Sequence, residues 1–348
     1  MTNVLDTIEQ HFTTDVMLAQ AVVDALEVVA YTELDGGRRI SLVRLGMAVD
    51  AVSRQLGADV MVYPVVDRNL LSDAELTSKE RMALGRWAGD GLVEVATGGT
   101  GRVIEVAQLT GLPAVARPKP APVPIWGLVP AGGGALVQVP PGPPPEPQGG
   151  PLLARRWTCK EPGCPSFGPQ RPGGPSVPRL RGGTPSCPRH DTPLYDAGPR
   201  PPGVPVRVSV AGVARRRFAV VAGRPVTIGR SPDGPDAVML GPWLDERAVT
   251  AVSRNHARLD LHDGTLYVTD LSTNGTVVLS RPGRDAGPAR VGLRRDQPYA
   301  LGEWDTVELF PGVELGRGDR LAAPSGDTST SVLGDAPTVA MRLPKMNG

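Results

Sequence analysis

The 348-residue sequence predicts a multidomain chain. It reads as an N-terminal α+β module, a small cysteine-bearing segment between Pro/Gly-rich linkers, and a C-terminal all-β sandwich. Three observations carry this reading. Glycine (43) and proline (38) cluster in a few stretches that break the chain, chiefly Pro118 to Gly150 and Asp196 to Pro205. All three cysteines fall between positions 159 and 187. From Val206 onward, short alternating apolar runs are separated by Gly, Pro and Asp turns. The boundaries that follow are 1–112 for the first module, 113–153 for a linker, 154–196 for the cysteine segment, 203–316 for the sandwich, and 317–348 for a flexible threonine-containing tail.

Charge narrows the function classes. The totals balance, 37 basic against 36 acidic residues, so there is no global case for a nucleic-acid or membrane-surface partner. Residues 1–112 carry 16 acidic and 9 basic groups, a net −7, whereas residues 113–202 carry 4 and 10, a net +6. No apolar run reaches the ~18 residues of a membrane span, and the N-terminus shows no charged-then-apolar leader, so a cytoplasmic location without membrane contact is expected. Three cysteines make no disulfide framework.

In the first module, apolar spacing predicts helices within residues 5–30, over 41–56 and over 78–88. The segment GLVEVATGGTGRVIEVAQL, Gly91 to Leu109, then offers two alternating runs around a glycine-rich turn, which predicts a β-hairpin. Helices followed by a hairpin resemble a winged helix-turn-helix domain, which would imply a DNA-binding regulator. The charge opposes that function. The recognition segment sets Lys79, Arg81 and Arg86 against Asp73, Glu75 and Glu80, and the basic footprint of phosphate binding is missing. A helical interaction or homodimerisation module over 1–112 is favoured, with DNA binding the alternative.

Cys159, Cys164, Cys187 and His190 follow as C-x4-C-x22-C-x2-H. Two knuckle-like pairs across a loop resemble a zinc ribbon or zinc knuckle. Four thiolate or imidazole ligands make a closed tetrahedral Zn2+ site with no position open for catalysis. So small a Pro/Gly-rich segment has little to bury, and bound metal would supply its folding free energy. A structural zinc is expected.

The C-terminal module predicts strands over VRVSVAG, RRFAVVAG, PVTIGRS, HARLDLHDG, LYVTDLS, GTVVL and TVELFPG. Ala257, Leu259 and Leu261 alternate with Arg258, Asp260 and His262, and Asp263-Gly264 turns the chain back into Leu266 and Val268. Polar clusters fall at the strand ends: Gly229-Arg230, Ser253-Arg254-Asn255-His256 and Thr273-Asn274-Gly275. This ordered trio, over about 110 residues, resembles the forkhead-associated (FHA) domain.

The resemblance implies a phosphothreonine-peptide site. Arg230 would fork onto the phosphate and Ser253 would donate its hydroxyl. Arg254 or Asn255 would add donors, Thr273 would give a further contact, and Asn274 would hold the ligand backbone. Gly229 and Gly275 permit the turns, and His256 braces the loop. Ser253 and His256 do not form a catalytic pair, because no acid orients the histidine and no oxyanion donor is evident, so a non-enzymatic protein is expected. Two departures from the family pattern stand out. The segment DAVMLGPWLDERAVTA lengthens the gap before Ser253, and LSRPGRDAG follows the Asn-Gly turn.

The whole reads as a phosphothreonine-peptide-binding adaptor or regulator in serine/threonine-kinase signalling, partnered by a phosphothreonine-containing protein and an upstream kinase. The arginine bias, with only four lysines, and the Ala/Gly/Pro excess resemble a high-GC actinobacterial protein. Thr338, then Thr330 and Thr328, are candidate phosphosites in the tail.

Overall fold

The computed structural model describes residues 4–56, 60–130, 135–139, 146–168, 176–234, 236–283 and 287–318. Thr328, Thr330 and Thr338 therefore lie outside the described residues.

The N-terminal unit alternates strand and helix. Its strands are β1 (Ala21–Asp24), β2 (Val62–Asp67), β3 (Glu94–Ala96), β4 (Ala114–Ala116), β5 (Ile125–Val129) and β6 (Ala135–Val139). Its helices are α1 (Val4–Glu9), α2 (Ala25–Val29), α3 (Val43–Leu56), α4 (Ser78–Gly89) and α5 (Gly99–Thr110). The sheet order is β3-β2-β1-β4-β5-β6, parallel throughout except for the antiparallel β5/β6 pair. This is an α/β arrangement, with helices crossing between parallel strands.

The winged-helix expectation for residues 1–112 is corrected here. No hairpin forms over Gly91 to Leu109: its first run is β3 and its second is α5. The run VIEVA satisfies both periods, and the helical one wins because Val103, Val106 and Ala107 share a buried face. The glycine-rich TGGTG starts a helix. Gly98 takes a left-handed φ of 72°, and the Gly99 N–H donates to Asp67 Oδ2 at 2.9 Å. Thr100 Oγ1 in turn donates to Asp24 Oδ2 at 2.7 Å. The resemblance to a winged helix-turn-helix domain therefore does not hold over this segment.

Two other expectations shift. The helical run expected within residues 5–30 contains β1, whose four residues are all buried as a central parallel strand requires. The segment expected as a linker, 113–153, contains β4, β5 and β6. Helices α3 and α4 lie where the spacing placed them, α4 opened by a capping box between Thr77 and Glu80.

The short helix α6 (Gly150–Leu153) leads into the cysteine-bearing unit. There β7 (Arg155–Thr158) pairs with β10 (Tyr195–Pro199), and β8 (Arg179–Arg181) pairs with β9 (Thr184–Ser186). This unit is docked on the α/β sheet. Arg102, on α5, is fully buried; its Nε donates to Glu94 Oε1 at 2.6 Å, and its Nη1 donates to the Pro178 carbonyl at 3.3 Å. Arg189 Nη1 donates to the Ala88 carbonyl at 2.9 Å.

The C-terminal unit is a sandwich of two sheets. Its strands are β11 (Gly203–Val210), β12 (Val213–Val221), β13 (Val226–Gly229), β14 (Ala237–Met239), β15 (Ala257–His262), β16 (Thr265–Asp270), β17 (Val277–Ser280), β18 (Ala289–Gly292), β19 (Pro298–Leu301), β20 (Thr306–Phe310) and β21 (Val313–Arg317). One sheet runs β12-β11-β21-β20-β17-β18 and the other β14-β13-β15-β16-β19. The alternation in β15 does what the sequence predicts, burying Ala257, Leu259 and Leu261 against Ile228, Val268 and Val307. The β15/β16 hairpin turns through Asp263 and Gly264, at φ 48° and 75°, the positive pair of a type I′ turn. Between β14 and β15 stands α7 (Glu246–Ala251), N-capped by Asp245, whose Oδ1 accepts the Ala248 N–H at 2.8 Å.

Candidate functional site

The three polar clusters meet at one end of the sandwich because β13, β15 and β16 are neighbours in one sheet. The Arg230 N–H donates to the Ser253 carbonyl at 3.0 Å, and the His256 N–H donates to the Ile228 carbonyl at 2.8 Å. The Leu271 N–H then donates to the His256 carbonyl at 2.9 Å, which ties the second and third clusters together. Thr273 meets Ser253 directly: its N–H donates to Ser253 Oγ at 3.2 Å, and the two hydroxyls lie 3.3 Å apart.

The third loop is built from below. Asp270, buried at the end of β16, accepts from the Ser272 N–H at 3.0 Å and from Thr276 Oγ1 at 2.7 Å. Ser272 Oγ accepts the Gly275 N–H at 2.8 Å, and Gly275 sits at φ 87°. Thr273, Asn274 and Gly275 are thereby pushed out to solvent, all three exposed. Sequence reasoning missed this support, although the spacing D-x-S-x-x-x-T carries it.

His256 is fully buried, and its Nδ1 accepts the Ser253 N–H at 3.0 Å, which leaves the proton on Nε2. Burial holds its pKa below the ordinary histidine value, against the opposing pull of Asp270 and the Gly275 backbone. A neutral ring fixing a loop amide is a brace.

Arg230 and Arg254 are cations without an ion pair among the described residues, and Arg254 is exposed. Arg230 Nη1 donates to the Val249 carbonyl at 2.8 Å, and Asn274 Nδ2 donates to the Ala251 carbonyl at 2.8 Å. Asn255 turns elsewhere: its Oδ1 accepts the Asp233 N–H at 3.1 Å, and its Nδ2 reaches Asp233 Oδ2 at 3.4 Å. The structure thus brings together Arg230, Ser253, Thr273 and Asn274, leaves Arg254 free beside them, and commits Asn255 to a neighbouring turn. Two cations and several hydroxyl and amide donors around one patch suit an anion flanked by peptide backbone.

Residues 226–309 match the family profile of the FHA domain. An FHA domain therefore occupies this part of the chain, with β11, β12 and β21 completing the sandwich around it. Among solved structures, an FHA domain of MEK1 in complex with a HOP1 phosphothreonine peptide is 23% identical; the match covers 33% of this chain and 95% of that one, with a TM-score of 0.23. The FHA domain of human APLF in complex with an XRCC1 bisphospho peptide is 23% identical over 32% of this chain and 97% of that one, with a TM-score of 0.23. An FHA domain from Chlamydia trachomatis is 20% identical over 34% and 99%, with a TM-score of 0.25. None of the curated proteins matches this chain. No helix among the described residues is long and apolar enough to cross a membrane.

A second cluster lies in the cysteine-bearing unit. One ligand atom from each of Cys159, Cys164, Cys187 and His190 falls within 4.8 Å of all the others. Cys159 Sγ and Cys187 Sγ each lie 3.5 Å from His190 Nδ1, and Cys164 Sγ lies 3.8 Å from Cys187 Sγ. A tetrahedron with Zn–S near ~2.3 Å and Zn–N near ~2.05 Å has edges of about 3.8 Å between sulfurs and about 3.5 Å from sulfur to nitrogen. These three of the six edges match that size, and the four atoms spread over no more than 4.8 Å. The Phe167 N–H donates to Cys164 Sγ at 3.3 Å, the kind of outer contact that favours thiolate. The Cys164 thiol is pulled down to about 5, first by its hydrogen bond with Cys187, whose own pKa is pushed up. The buried cluster could hold a metal ion.

Proposed function

We propose that this chain is a phosphothreonine-peptide-binding adaptor or regulator, acting in the cytoplasm downstream of a serine/threonine kinase. The observation that supports it most is the meeting of Arg230, Ser253, Thr273 and Asn274 at the loop end of an FHA sandwich. In this reading Arg230 and Arg254 carry the charge that a near-dianionic phosphate demands, and the Ser253 and Thr273 hydroxyls contact its oxygens. Asn274, with one amide N–H and its Oδ1 uncommitted, holds the peptide backbone on either side. Gly229, Gly275 and His256 shape the loops and touch no ligand. The partner is a protein phosphorylated on threonine.

The second element of the proposal is a structural Zn2+ on Cys159, Cys164, Cys187 and His190, supported by the gathering of the four ligand atoms within 4.8 Å and by three edges of tetrahedral length. When bound, the ion would cross-link the two halves of a unit with little apolar core of its own.

The functional test is capture of peptides by the full-length chain from a degenerate library centred on phosphothreonine. Capture is expected with the phosphorylated library and absent with the same library dephosphorylated. Equal recovery from both would overturn the reading.

A further inference from the structure

Helix α7 lies in the segment between β14 and β15, which leads into the Ser253 loop. A helix end leaves its last carbonyls without intrahelical partners. In α7 the Ala248 carbonyl is taken by the Val252 N–H at 2.8 Å. Of the carbonyls beyond it, the Val249 oxygen accepts from Arg230 and the Ala251 oxygen accepts from Asn274. The helix end and the recognition side chains satisfy one another.

The arrangement is anchored on both sides. Ala248 and Val252 are buried in the sandwich core. Upstream, the Leu240 N–H donates to the Gly229 carbonyl at 2.8 Å, and the Gly241 N–H donates to the Arg230 carbonyl at 3.1 Å. Arg230 is thus held at its backbone by the residues just after β14 and at its guanidinium by the end of α7. Only one of its five N–H donors is used on Val249, and only one of the two Asn274 amide hydrogens on Ala251. Among the described residues, the remaining side-chain donors have no partner and are available to a ligand.

We infer that α7 is a positioning element that pre-sets Arg230 and Asn274 for phosphopeptide capture, and that Asp245, which caps α7, is the residue on which that order depends. This rests on the phosphopeptide reading above. An arginine held in one rotamer before binding loses less freedom when it meets phosphate. The occupied donors are side-on struts. The ligand fits beside the two carbonyls without displacing them.

The experiment uses the full-length chain and a degenerate phosphothreonine peptide library as probe. Asp245→Ala removes the cap, whereas Asp245→Asn removes only the charge and keeps a strong capping side chain. Asp245→Ala is expected to weaken library binding by about three- to ten-fold, with Asp245→Asn restoring wild-type affinity. In 15N spectra, the Arg230 Nε–H signal of ligand-free Asp245→Ala should lose the slow-rotation signature that wild type and Asp245→Asn share. A general structural defect would disturb backbone signals throughout the sandwich and lower its thermal midpoint, whereas the inference requires the change to centre on Arg230 and Asn274. Tighter binding by Asp245→Ala would mean that the α7 carbonyls compete with ligand, and unchanged binding would mean that they do nothing; either overturns the inference. Arg230→Ala separates this failure from a deeper one. If wild type, Asp245→Ala and Arg230→Ala all capture nothing, the phosphopeptide reading falls and takes this one with it.

Discussion

Gly229 lies directly beneath Arg254: a Cβ at position 229 would sit 1.8 Å from the Arg254 carbonyl oxygen. That oxygen is backbone, so relief requires moving the Ser253-Arg254 loop away from β13. Gly229→Ala is expected to destabilise the sandwich by more than ~2 kcal/mol, in the range where single substitutions have a specific steric cause. It should also abolish peptide capture at temperatures where the protein stays folded. Urea unfolding followed at the FHA unit checks the first, and library capture the second.

Arg230 offers the more direct test of the pocket. Replacing it with alanine removes a charged donor from the phosphate and leaves the Val249 carbonyl solvated at an exposed site. Arg230→Ala should cost roughly 2–4 kcal/mol of phosphopeptide affinity, seen by calorimetry, with little change in thermal midpoint. Ser253→Ala, losing a neutral hydroxyl, should cost less.

Metal content is a separate prediction. Freshly prepared, reduced protein should carry about one zinc per chain by elemental analysis, and Cys187→Ser should lose it. A strong chelator should expose amides in residues 155–195 to hydrogen exchange while those of β15 and β16 stay protected.

The buried Arg102–Glu94 pair predicts a large, asymmetric response. Arg102→Ala leaves Glu94 uncompensated inside the protein and should destabilise the α/β unit by ~3–5 kcal/mol. Arg102→Met combined with Glu94→Leu removes both charges and should recover only part of that, because the buried Tyr63 hydroxyl and the Val177 and Pro178 carbonyls lose their partners. Chemical denaturation of the three variants decides it.

His256 gives a pH dependence of defined sign. The unfolded chain takes up this proton near pH ~6.5, the folded chain only at lower pH, because burial disfavours the charged ring. Between those values the unfolded state holds more protons, so this contribution to stability is complete above the window and lost as pH falls through it. The slope from one proton cannot exceed about 1.4 kcal/mol per pH unit. Thermal midpoints measured downward from neutral pH, beside an NMR titration of the His256 ring, test it.

Legibility in the sequence tracked how many interpretations a residue pattern allows. Asp263-Gly264 between two alternating runs has one good solution, a hairpin, and so β15 and β16 lie where the spacing put them. The Gly229-Arg230, Ser253-to-His256 and Thr273-to-Gly275 clusters could be placed because strand ends must emerge at a sandwich edge. The cysteines and His190 declared themselves by spacing, and the structure brings all four together. By contrast, the residues AVVD of β1 and VIEVA of α5 are short apolar runs, equally good as strand or helix until the parallel sheet chooses. Proline density hid β5, because a strand can begin after proline at no cost to its own ladder. The role of α7 was illegible for another reason: it acts through backbone carbonyls, which no side-chain motif records.

The sheet order of the N-terminal unit also decides where the chain can be cut. Strand β1 lies between β2 and β4, with Val22 opposite Ala114 and Val23 opposite Val115. A fragment ending near residue 112, at the boundary that composition suggests, would strip β4 and β5 from that side. It would leave a strand that is buried along its whole length with open amides, an invitation to self-association into aggregates. Expression of the first unit alone therefore calls for an end point beyond β6, whereas the sandwich, starting afresh at Gly203, can be separated without opening any sheet of its neighbours.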